Sequence, residues 1–316
     1  MLRRAGGRCL VVARGRAGAY HTLTVAAPEI AAAARAGQFV GVLVGTARSF
    51  LLRRAFSVHA ADPAVGTVGV VFDVVGPGTR ALAAVRPGEA VDVLGPLGRP
   101  FALPAPSGNG GGPPACLLVG GGYGTAPLFL LAGELRARGC PVDVLIGAST
   151  AGRLLQPEAC VLLGRSLTVT TDDGSAGRRG VVTDPMPELL ALAGTEQVYA
   201  CGPMPMLAAV SRTAALAGVA CQVAVEERMA CGTGICFSCV VPVRDGHGDG
   251  RMARSCIEGP VFDGAAVAWA ELGLAPAAPG PATALHGART AGGEPARSGA
   301  EADPGPDRAG VGEQAP

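Results

Sequence analysis

The stretch Cys116-Leu-Leu-Val-Gly-Gly-Gly-Tyr-Gly-Thr-Ala-Pro127 decides the fold of the middle of this chain. An apolar run leads directly into a glycine-rich turn, and Pro127 follows near the first turn of a helix, where its missing N–H does no harm. A strand, a glycine turn and a helix N-terminus in this order can bring backbone N–H groups against a phosphate. The spacing differs from G-x-G-x-x-G, so the stretch predicts a nucleotide-binding turn without the ordinary dinucleotide fingerprint.

Strands and helices alternate beyond this turn. Leu128, Leu131 and Leu135 recur at helical spacing and predict a helix over Ala126–Arg138. Strands that alternate with helices of this length indicate a parallel sheet covered by helices. The other predicted elements are the strands Cys116–Val119, Val142–Ile146, Leu167–Thr170 and Gln197–Cys201 and a helix over Met204–Ala217.

Two more loops follow strands of this predicted sheet. Thr171-Asp-Asp-Gly-Ser175 ends one strand, and Cys201-Gly-Pro-Met-Pro-Met206 ends another and begins a helix. Open α/β sheets bind ligands at the carboxyl ends of their parallel strands, so the three loops together favour one ligand site. Taken singly, each loop is equally compatible with an ordinary turn.

Four of the ten cysteines are clustered. The run Cys231-Gly-Thr-Gly-Ile-Cys236-Phe-Ser-Cys239 has C-x4-C-x2-C spacing, and Cys256 follows it. This is the loop spacing of plant-type [2Fe–2S] ferredoxins. Gly232 and Gly234 permit positive φ angles, so that backbone N–H groups can approach the sulfurs. A zinc site, which usually takes paired C-x2-4-C knuckles, and simple buried thiols are the alternatives.

The region up to about Pro104 predicts a β barrel or sandwich, because short apolar runs are separated by Gly–Pro turns. Arg53-Arg-Ala-Phe-Ser57 ends an apolar strand, where an arginine can bind a pyrophosphate and an aromatic ring can pack on a flavin. Gly76-Pro-Gly-Thr-Arg80 can turn backbone amides toward a phosphate. Ordinary strand ends and turns are the alternatives. The apolar runs are Gln38–Val44, Thr67–Val75 and Ala90–Leu94.

Composition and charge exclude several classes of protein. A chain of 316 residues is long enough for two compact domains and one small additional segment. A net charge of +1 provides no field for nucleic acid, and no run of 18 apolar residues free of charges predicts a membrane span. All 26 basic residues are arginine, which excludes Schiff-base and Walker-type lysine mechanisms. The six scattered cysteines indicate a reducing compartment, so a cytoplasmic location is expected.

The order of these motifs resembles the ferredoxin reductase superfamily, whose members hold a flavin between a β barrel and a nicotinamide-binding α/β domain. The motifs are Arg-x-Phe-Ser at 54–57, the glycine turn at 120–127 and Cys-Gly-Pro at 201–203. Glu226-Glu-Arg-Met-Ala-Cys-Gly232 and Arg254-Ser-Cys-Ile-Glu-Gly-Pro-Val-Phe262 narrow the match: they resemble the electron-transfer subunits of class 1B dihydroorotate dehydrogenases, over about residues 8–270.

The resemblance implies five segments and three cofactors: FAD, NAD and a [2Fe–2S] cluster. It assigns the cluster to Cys231, Cys236, Cys239 and Cys256, and it assigns no catalytic residue with certainty. The implied segments are an FAD-binding β barrel at 1–104, a linker at 105–114, an NAD-binding α/β domain at 115–222, a cluster domain at 223–274 and a disordered tail at 275–316. The implied FAD residues are Arg54, Phe56, Ser57, Gly78 and Thr79. The residues implied to border the nicotinamide site are Gly121, Gly122, Gly124 and Thr125, with Cys201, Gly202 and Pro203 near the contact between flavin and nicotinamide.

By the same resemblance, the chain passes electrons from an FMN-containing, dihydroorotate-oxidising partner through the cluster and FAD to NAD, in pyrimidine biosynthesis. A heterotetramer with that partner is expected, with no nucleic acid and no membrane among its partners. Phe56 stands where the aromatic residue varies, and Arg153 is a candidate for a 2′-phosphate contact that would favour NADP, although a solvated arginine is the simpler interpretation. The alternatives are a related flavin/iron–sulfur reductase subunit for ferredoxin or sulfide, against which Cys231 argues, and a non-catalytic zinc-stapled binding module.

Overall fold

Six antiparallel strands close into a barrel at the N-terminal end of the chain. The computed structural model describes residues 5–44, 50–104, 112–245 and 248–274. The strands follow the order β1-β2-β5-β4-β3-β6 around the barrel. Valines at alternate strand positions, among them Val40, Val58, Val70 and Val93, fill its interior, as the period-two geometry of a strand requires. The strands are β1 (Ala5–Ala17), β2 (Tyr20–Ala26), β3 (Phe39–Leu43), β4 (Arg54–Asp62), β5 (Thr67–Phe72) and β6 (Ala90–Leu97).

Two short helices pack on the barrel, and neither was predicted. They are α1 (Pro28–Ala33) and α2 (Pro77–Ala84), and each begins with a proline, which suits the first turn of a helix. The turn Gly76-Pro-Gly-Thr-Arg80 is therefore the start of α2. The Thr79 hydroxyl accepts hydrogen bonds from the backbone N–H groups of Val75 and Gly76, at 3.0 and 3.1 Å, and fixes this start.

The middle of the chain forms the predicted parallel sheet. Its strand order is β10-β9-β8-β7-β11-β12, with a last strand added at the edge. The chain runs from β7 outward to β10 on one side, and β11 and β12 then return to the other side of β7. The sheet therefore has a switch point between β7 and β11. The elements are β7 (Cys116–Gly121), α3 (Ala126–Ala137), β8 (Val142–Ala148), α4 (Pro157–Cys160), β9 (Ser166–Thr171), β10 (Arg178–Arg179), α5 (Met186–Ala193), β11 (Gln197–Cys201), α6 (Met204–Leu216) and β12 (Ala220–Ala224).

The cysteine-rich segment is attached to the parallel sheet through a strand that follows it. It contains a hairpin of β13 (Val240–Arg244) and β14 (Gly250–Arg254). The chain then continues into β15 (Val261–Asp263), which pairs antiparallel with β12 and completes the seven-stranded sheet. This pairing fixes the position of the cysteine loop, because the loop lies between two strands of the same sheet.

Several predicted features lie wholly or partly outside the described residues. Residues 105–111 of the predicted linker and the whole predicted tail at 275–316 belong to this group. In the described part of the chain, no helix has the length and apolar character that a membrane crossing requires.

Candidate functional site

A cavity of about 480 Å³ opens at the carboxyl ends of the parallel strands, beside the switch point of the sheet. We call it the nucleotide cavity. Its wall includes Gly121 at the end of β7, Ser149 after β8, Asp172 after β9 and Pro203 after β11. The three loops singled out in the sequence therefore meet at one site, as expected for ligand binding by an open α/β sheet.

Packing against the neighbouring loop accounts for two of the four glycines at positions 120–124. A Cβ atom on Gly121 would lie 2.5 Å from Met206 Sδ, and one on Gly124 would lie 2.6 Å from Gly202 Cα. Only Gly122 has a positive φ angle, +55°. The loop at 120–125 and the Cys201-Gly-Pro203 loop therefore touch through their backbones, and any side chain on Gly124 would separate them.

A second cavity of about 460 Å³ lies against the barrel, and we call it the barrel cavity. Four of the five residues predicted to bind FAD line it: Arg54, Phe56, Ser57 and Thr79. The fifth, Gly78, lies behind Arg54, since a Cβ atom on Gly78 would come within 2.4 Å of the Arg54 Nε atom. Gly78 thus leaves the space that the Arg54 guanidinium occupies.

The two adjacent arginines at the start of β4 have different environments. Arg53 forms an ion pair with Asp92 at 2.7 Å, whereas Arg54 makes no carboxylate ion pair in the described part of the chain. The Arg54 guanidinium donates to the Leu52 carbonyl and stacks on Phe50, 4.9 Å from the ring centroid. A cation without a carboxylate partner at the edge of a cavity suits a pyrophosphate, so this wall fits a flavin nucleotide.

The remaining predicted nucleotide residues are divided between the two cavities. Gly121, Gly122 and Pro203 line the nucleotide cavity, and Gly124 and Cys201 line the barrel cavity. The Cys201 thiol is buried, and this burial together with the charge of Glu226 raises its pKa to about 12, so the thiol is neutral at pH 7. Thr125 and Gly202 lie in the loops themselves; Thr125 is fully buried, and a Cβ atom on Gly120 would meet its hydroxyl oxygen at 2.4 Å.

Arg153 joins the barrel to the parallel-sheet region at the wall of the nucleotide cavity. Its guanidinium pairs with Asp73 at 2.8 Å and lies over the Tyr20 ring, 5.1 Å from the centroid. The Tyr20 hydroxyl donates to the Arg153 carbonyl at 2.7 Å. Arg153 is therefore engaged by Asp73 and is not simply solvated.

The four clustered cysteines form two pairs. Cys236 lies close enough to Cys231 to affect its pKa, and Cys239 lies close enough to Cys256 to affect its pKa. Cys239 and Cys256 also share one buried apolar cluster. No three His, Cys, Asp or Glu side chains among the described residues converge on a point that would hold a single metal ion. The C-x4-C-x2-C spacing with Cys256 supplies the four thiolates of a [2Fe–2S] cluster, whereas a zinc site usually takes paired C-x2-4-C knuckles.

The backbone around the cysteines supports the same assignment. Gly232 and Gly234 have φ angles of +66° and +86°, as their place in a tightly wrapped loop requires. The backbone N–H of Thr233 donates to Cys231 Sγ at 3.4 Å. Burial acts to raise the pKa of Cys231, but hydrogen bonds from Thr233 and Cys236 outweigh it and lower the pKa to about 5. Burial and the contact with Cys239 raise the pKa of Cys256 to about 12.

The inner pair of cysteines packs on the barrel beside the barrel cavity. Cys239 and Cys256 form one apolar cluster with Phe39 and Leu97 of the barrel, and Met229 packs against it. Phe39 and Met229 also line the barrel cavity. One layer of side chains therefore separates this pair from the barrel cavity.

Sequence reasoning missed several residues of these walls. Glu226, Glu227 and Arg228 were considered only as part of the motif that precedes the cysteine loop, yet all three line the barrel cavity. Phe72 and Asp73, at the end of β5, line it as well. The sequence does contain a signal for Phe72 and Asp73. A polar residue directly after the buried strand β5 marks the end of that strand, and β5 lies beside β4, which carries Arg54-Ala-Phe-Ser57.

Comparison with known proteins places these features in one family. The sequence model of the iron–sulfur cluster binding domain of dihydroorotate dehydrogenase B matches residues 226–268. The electron transfer subunit of dihydroorotate dehydrogenase B (NAD(+)) from Desulforamulus reducens is 39% identical over 243 residues, which cover 77% of this chain and 90% of that protein. The subunit of the same name from Bacillus caldolyticus is 40% identical over 227 residues, covering 72% of this chain and 84% of that protein.

A solved structure agrees with the sequence comparison. It is described as an NADH-dependent reduced ferredoxin-NADP oxidoreductase that gives insights into flavin-based electron bifurcation. It superimposes with a TM-score of 0.73 at 31% identity and covers 84% of this chain and 91% of that chain. A single superposition therefore spans most of this chain, and the likeness is not limited to one of its parts.

Proposed function

The chain belongs to the family of electron-transfer subunits of dihydroorotate dehydrogenase B (NAD(+)), and from this premise we propose which of its residues hold each cofactor. It is an oxidoreductase subunit with FAD, a [2Fe–2S] cluster and NAD as its cofactors. The family match also decides against the zinc-stapled binding module. When bound, the flavin exchanges a hydride with the nicotinamide and the cluster moves single electrons.

The barrel cavity is the proposed FAD site. Arg54 binds the pyrophosphate with Gly78 packed behind it, Phe56 and Ser57 face the flavin, and Thr79 lines the same cavity at the start of α2. The barrel cavity continues past Gly124 to Cys201 of the other domain, so both domains bind the flavin. The buried, neutral Cys201 thiol lines the site without placing a negative charge in it.

The nucleotide cavity is the proposed NAD site, with Gly121, Gly122 and Pro203 in its wall. We propose NAD as the preferred nucleotide, because the arginine next to this cavity is engaged: Arg153 pairs with Asp73 at 2.8 Å. Asp172 in the same wall adds a carboxylate, which would repel a 2′-phosphate.

The single observation that carries the proposal is the order of the three sites. The cysteine pair Cys239 and Cys256 adjoins Phe39, which lines the barrel cavity, and the barrel cavity adjoins the nucleotide cavity. Sites arranged in this order are suited to electron transfer between a partner at the cysteine loop and NAD.

The proposed partner is the FMN-containing subunit that oxidises dihydroorotate, assembled with this chain as a heterotetramer in the cytoplasm. The cysteine loop is the proposed contact, because it exposes two large apolar side chains: Ile235 is 80% exposed and Phe237 is 60% exposed. Exposed apolar residues beside a redox site are typical of a protein-binding surface.

The substitution Cys236→Ser tests the proposal in the complex. We expect iron to fall from about two atoms per chain to near zero while FAD stays bound, because Cys236 lies apart from both cavities. NADH should still reduce the flavin, whereas dihydroorotate should no longer reduce NAD. Metal and flavin analysis, the molar mass of the complex and both reductions give the result. Cys9→Ser, on β1, is the matched control and should retain all of them.

Loss of FAD together with iron in Cys236→Ser would contradict the separate flavin and cluster sites. If wild-type protein contained zinc and no flavin, the electron-transfer assignment itself would be wrong.

A further inference from the structure

The nucleotide cavity and the barrel cavity share two wall residues. Within the described residues, Tyr123 and Glu226 alone line both cavities. Tyr123 belongs to the glycine loop after β7, and Glu226 follows β12. The Tyr123 hydroxyl donates a hydrogen bond to Glu226 Oε1. The wall common to both cavities is therefore a contact between two side chains from different loops.

This contact is strong and can still be opened. Burial, followed by the hydrogen bond to Glu226, raises the pKa of Tyr123, so the phenol remains a proton donor throughout the neutral range. The Tyr20 ring supports Tyr123 edge-on, with centroids 5.7 Å apart. Glu226 is exposed and makes no ion pair in the described part of the chain, so rotation of its side chain breaks only the bond to Tyr123.

Hydride exchange sets a geometric requirement on this wall. The reacting atoms of the nicotinamide and the flavin must come to about 3–3.5 Å. If the adenosine end of NAD occupies the nucleotide cavity and the flavin occupies the barrel cavity, the nicotinamide ring has to pass the place where Tyr123 meets Glu226.

We propose that Tyr123 and Glu226 form a gate between the two cavities: their hydrogen bond closes the passage when no nicotinamide is present and breaks when the ring moves to the flavin. This inference rests on the proposed FAD and NAD sites. Both residues act as positioning residues, because the gate selects when the nicotinamide reaches the flavin and takes no part in the hydride exchange.

The gate has a consequence for affinity that a plain cavity wall lacks. Binding of NAD includes the cost of breaking a hydrogen bond to a carboxylate, whereas ADP-ribose, which has no nicotinamide ring, leaves the bond intact. Tyr123→Phe removes the hydroxyl and keeps the ring, so NAD should bind about tenfold more tightly, as expected for one hydrogen bond to a charged group. The affinity for ADP-ribose should change by less than about twofold.

The experiment measures both dissociation constants by calorimetry on the FAD-loaded protein, for wild type and Tyr123→Phe. Glu226→Ala should reproduce the selective gain, and Glu226→Gln, which keeps an oxygen acceptor, should show a smaller one. Tyr20→Phe is the matched control, because it removes a hydroxyl from a residue that lines the nucleotide cavity alone. Tyr20→Phe should change the dissociation constants of NAD and ADP-ribose by the same factor.

Equal changes for NAD and ADP-ribose in Tyr123→Phe would show that Tyr123 is an ordinary wall of the nucleotide site and would overturn the gate, as would no change for either ligand. Both results leave the proposed function intact. If wild-type protein binds neither FAD nor NAD, the proposed function fails, and the gate fails with it.

Discussion

The two glycine-rich loops of this chain use their glycines for different physical reasons. In the cysteine loop, Gly232 and Gly234 have positive φ angles of +66° and +86°, so the backbone itself needs glycine. In the glycine-rich turn that begins at the end of β7, Gly121 and Gly124 have ordinary backbone angles, and a side chain on them would meet the Cys201-Gly-Pro203 loop. The first loop is the proposed cluster site, and the second is packed against protein.

This difference teaches that a glycine-rich motif does not by itself identify a backbone that touches a ligand. Of the glycines after β7, Gly122 alone combines a positive φ angle with a place in the nucleotide cavity. Three substitutions to alanine test these reasons one by one. Gly124→Ala tests packing, Gly234→Ala tests backbone strain together with a clash, and Gly122→Ala tests backbone strain alone. Their expected effects decrease in that order.

Gly124→Ala should have the largest effect. Its Cβ atom would lie 2.6 Å from Gly202 Cα and 2.8 Å from the Cys201 carbonyl oxygen, and backbone atoms cannot rotate away as side chains do. We expect a loss of about 3 kcal/mol in the free energy of unfolding, at the upper end for overpacking, with weaker binding of both FAD and NAD. Denaturant unfolding and flavin content measure this.

The control for Gly124→Ala is Gly133→Ala. Gly133 lies within α3, where a Cβ atom has open space, so alanine should stabilise the protein by about 0.5–1 kcal/mol. A small loss at Gly124, equal to that of an exposed site, would contradict the close packing of the two loops.

Gly234→Ala should have the second-largest effect. A residue with a side chain at φ = +86° is strained, at a cost of about 1–2 kcal/mol, and its Cβ atom would also displace Ile257, whose Cδ1 atom would be only 1.8 Å away. We expect iron content to fall strongly while FAD stays bound, which elemental and flavin analysis would show.

Gly248→Ala is the matched control for Gly234→Ala, because Gly248 has nearly the same φ angle, +87°, but no atom within 4 Å of its Cβ position. Its strain should lower stability without loss of iron. If both variants lost iron equally, strain alone would explain the effect, and the contact with Ile257 would be irrelevant.

Gly122→Ala should have the smallest effect on stability. Its φ angle is +55° and the nearest atom, the Tyr20 hydroxyl oxygen, would lie 3.3 Å from the new Cβ. Strain predicts a loss of about 1–2 kcal/mol. Because Gly122 lines the nucleotide cavity, the affinity for NAD should fall as well, and thermal unfolding and calorimetry measure the two effects.

Gly194→Ala separates these two effects, since Gly194 has φ = +58°, open space around its Cβ position and no place in either cavity. It should lose the same stability as Gly122→Ala and keep the affinity for NAD. An unchanged NAD affinity in Gly122→Ala would mean that the dinucleotide does not contact this turn.

Local patterns predicted the elements that depend on neighbouring residues. The helical spacing of Leu128, Leu131 and Leu135 predicted α3 to within one residue of its end, and β11 was predicted without error. Helix α2 was missed because Gly76-Pro-Gly78 is as compatible with a turn as with a helix start. The Leu82 contact that holds this helix on the barrel comes from distant strands.

The choice between adjacent or similar residues depended on partners far away in the sequence. Arg53 and Arg54 are equivalent as a sequence doublet and both line the barrel cavity, but only Arg53 is paired with a carboxylate, that of Asp92 on β6. Arg153 was considered for a nucleotide phosphate, but Asp73 of the barrel engages it. No local pattern contains either carboxylate.

The sequence by itself determined the order of the parts, the spacing of the four cysteines and the type of each main element, because these follow from periodicity, turn chemistry and ligand number within short segments. The tertiary structure decided which side chains face one another: Cys239 and Cys256 beside Phe39, and Tyr123 against Glu226. The physical reason is that Tyr123 and Glu226 come together only when β7 and β12 take their places on either side of β11 in one sheet, an arrangement set by the packing of the whole chain.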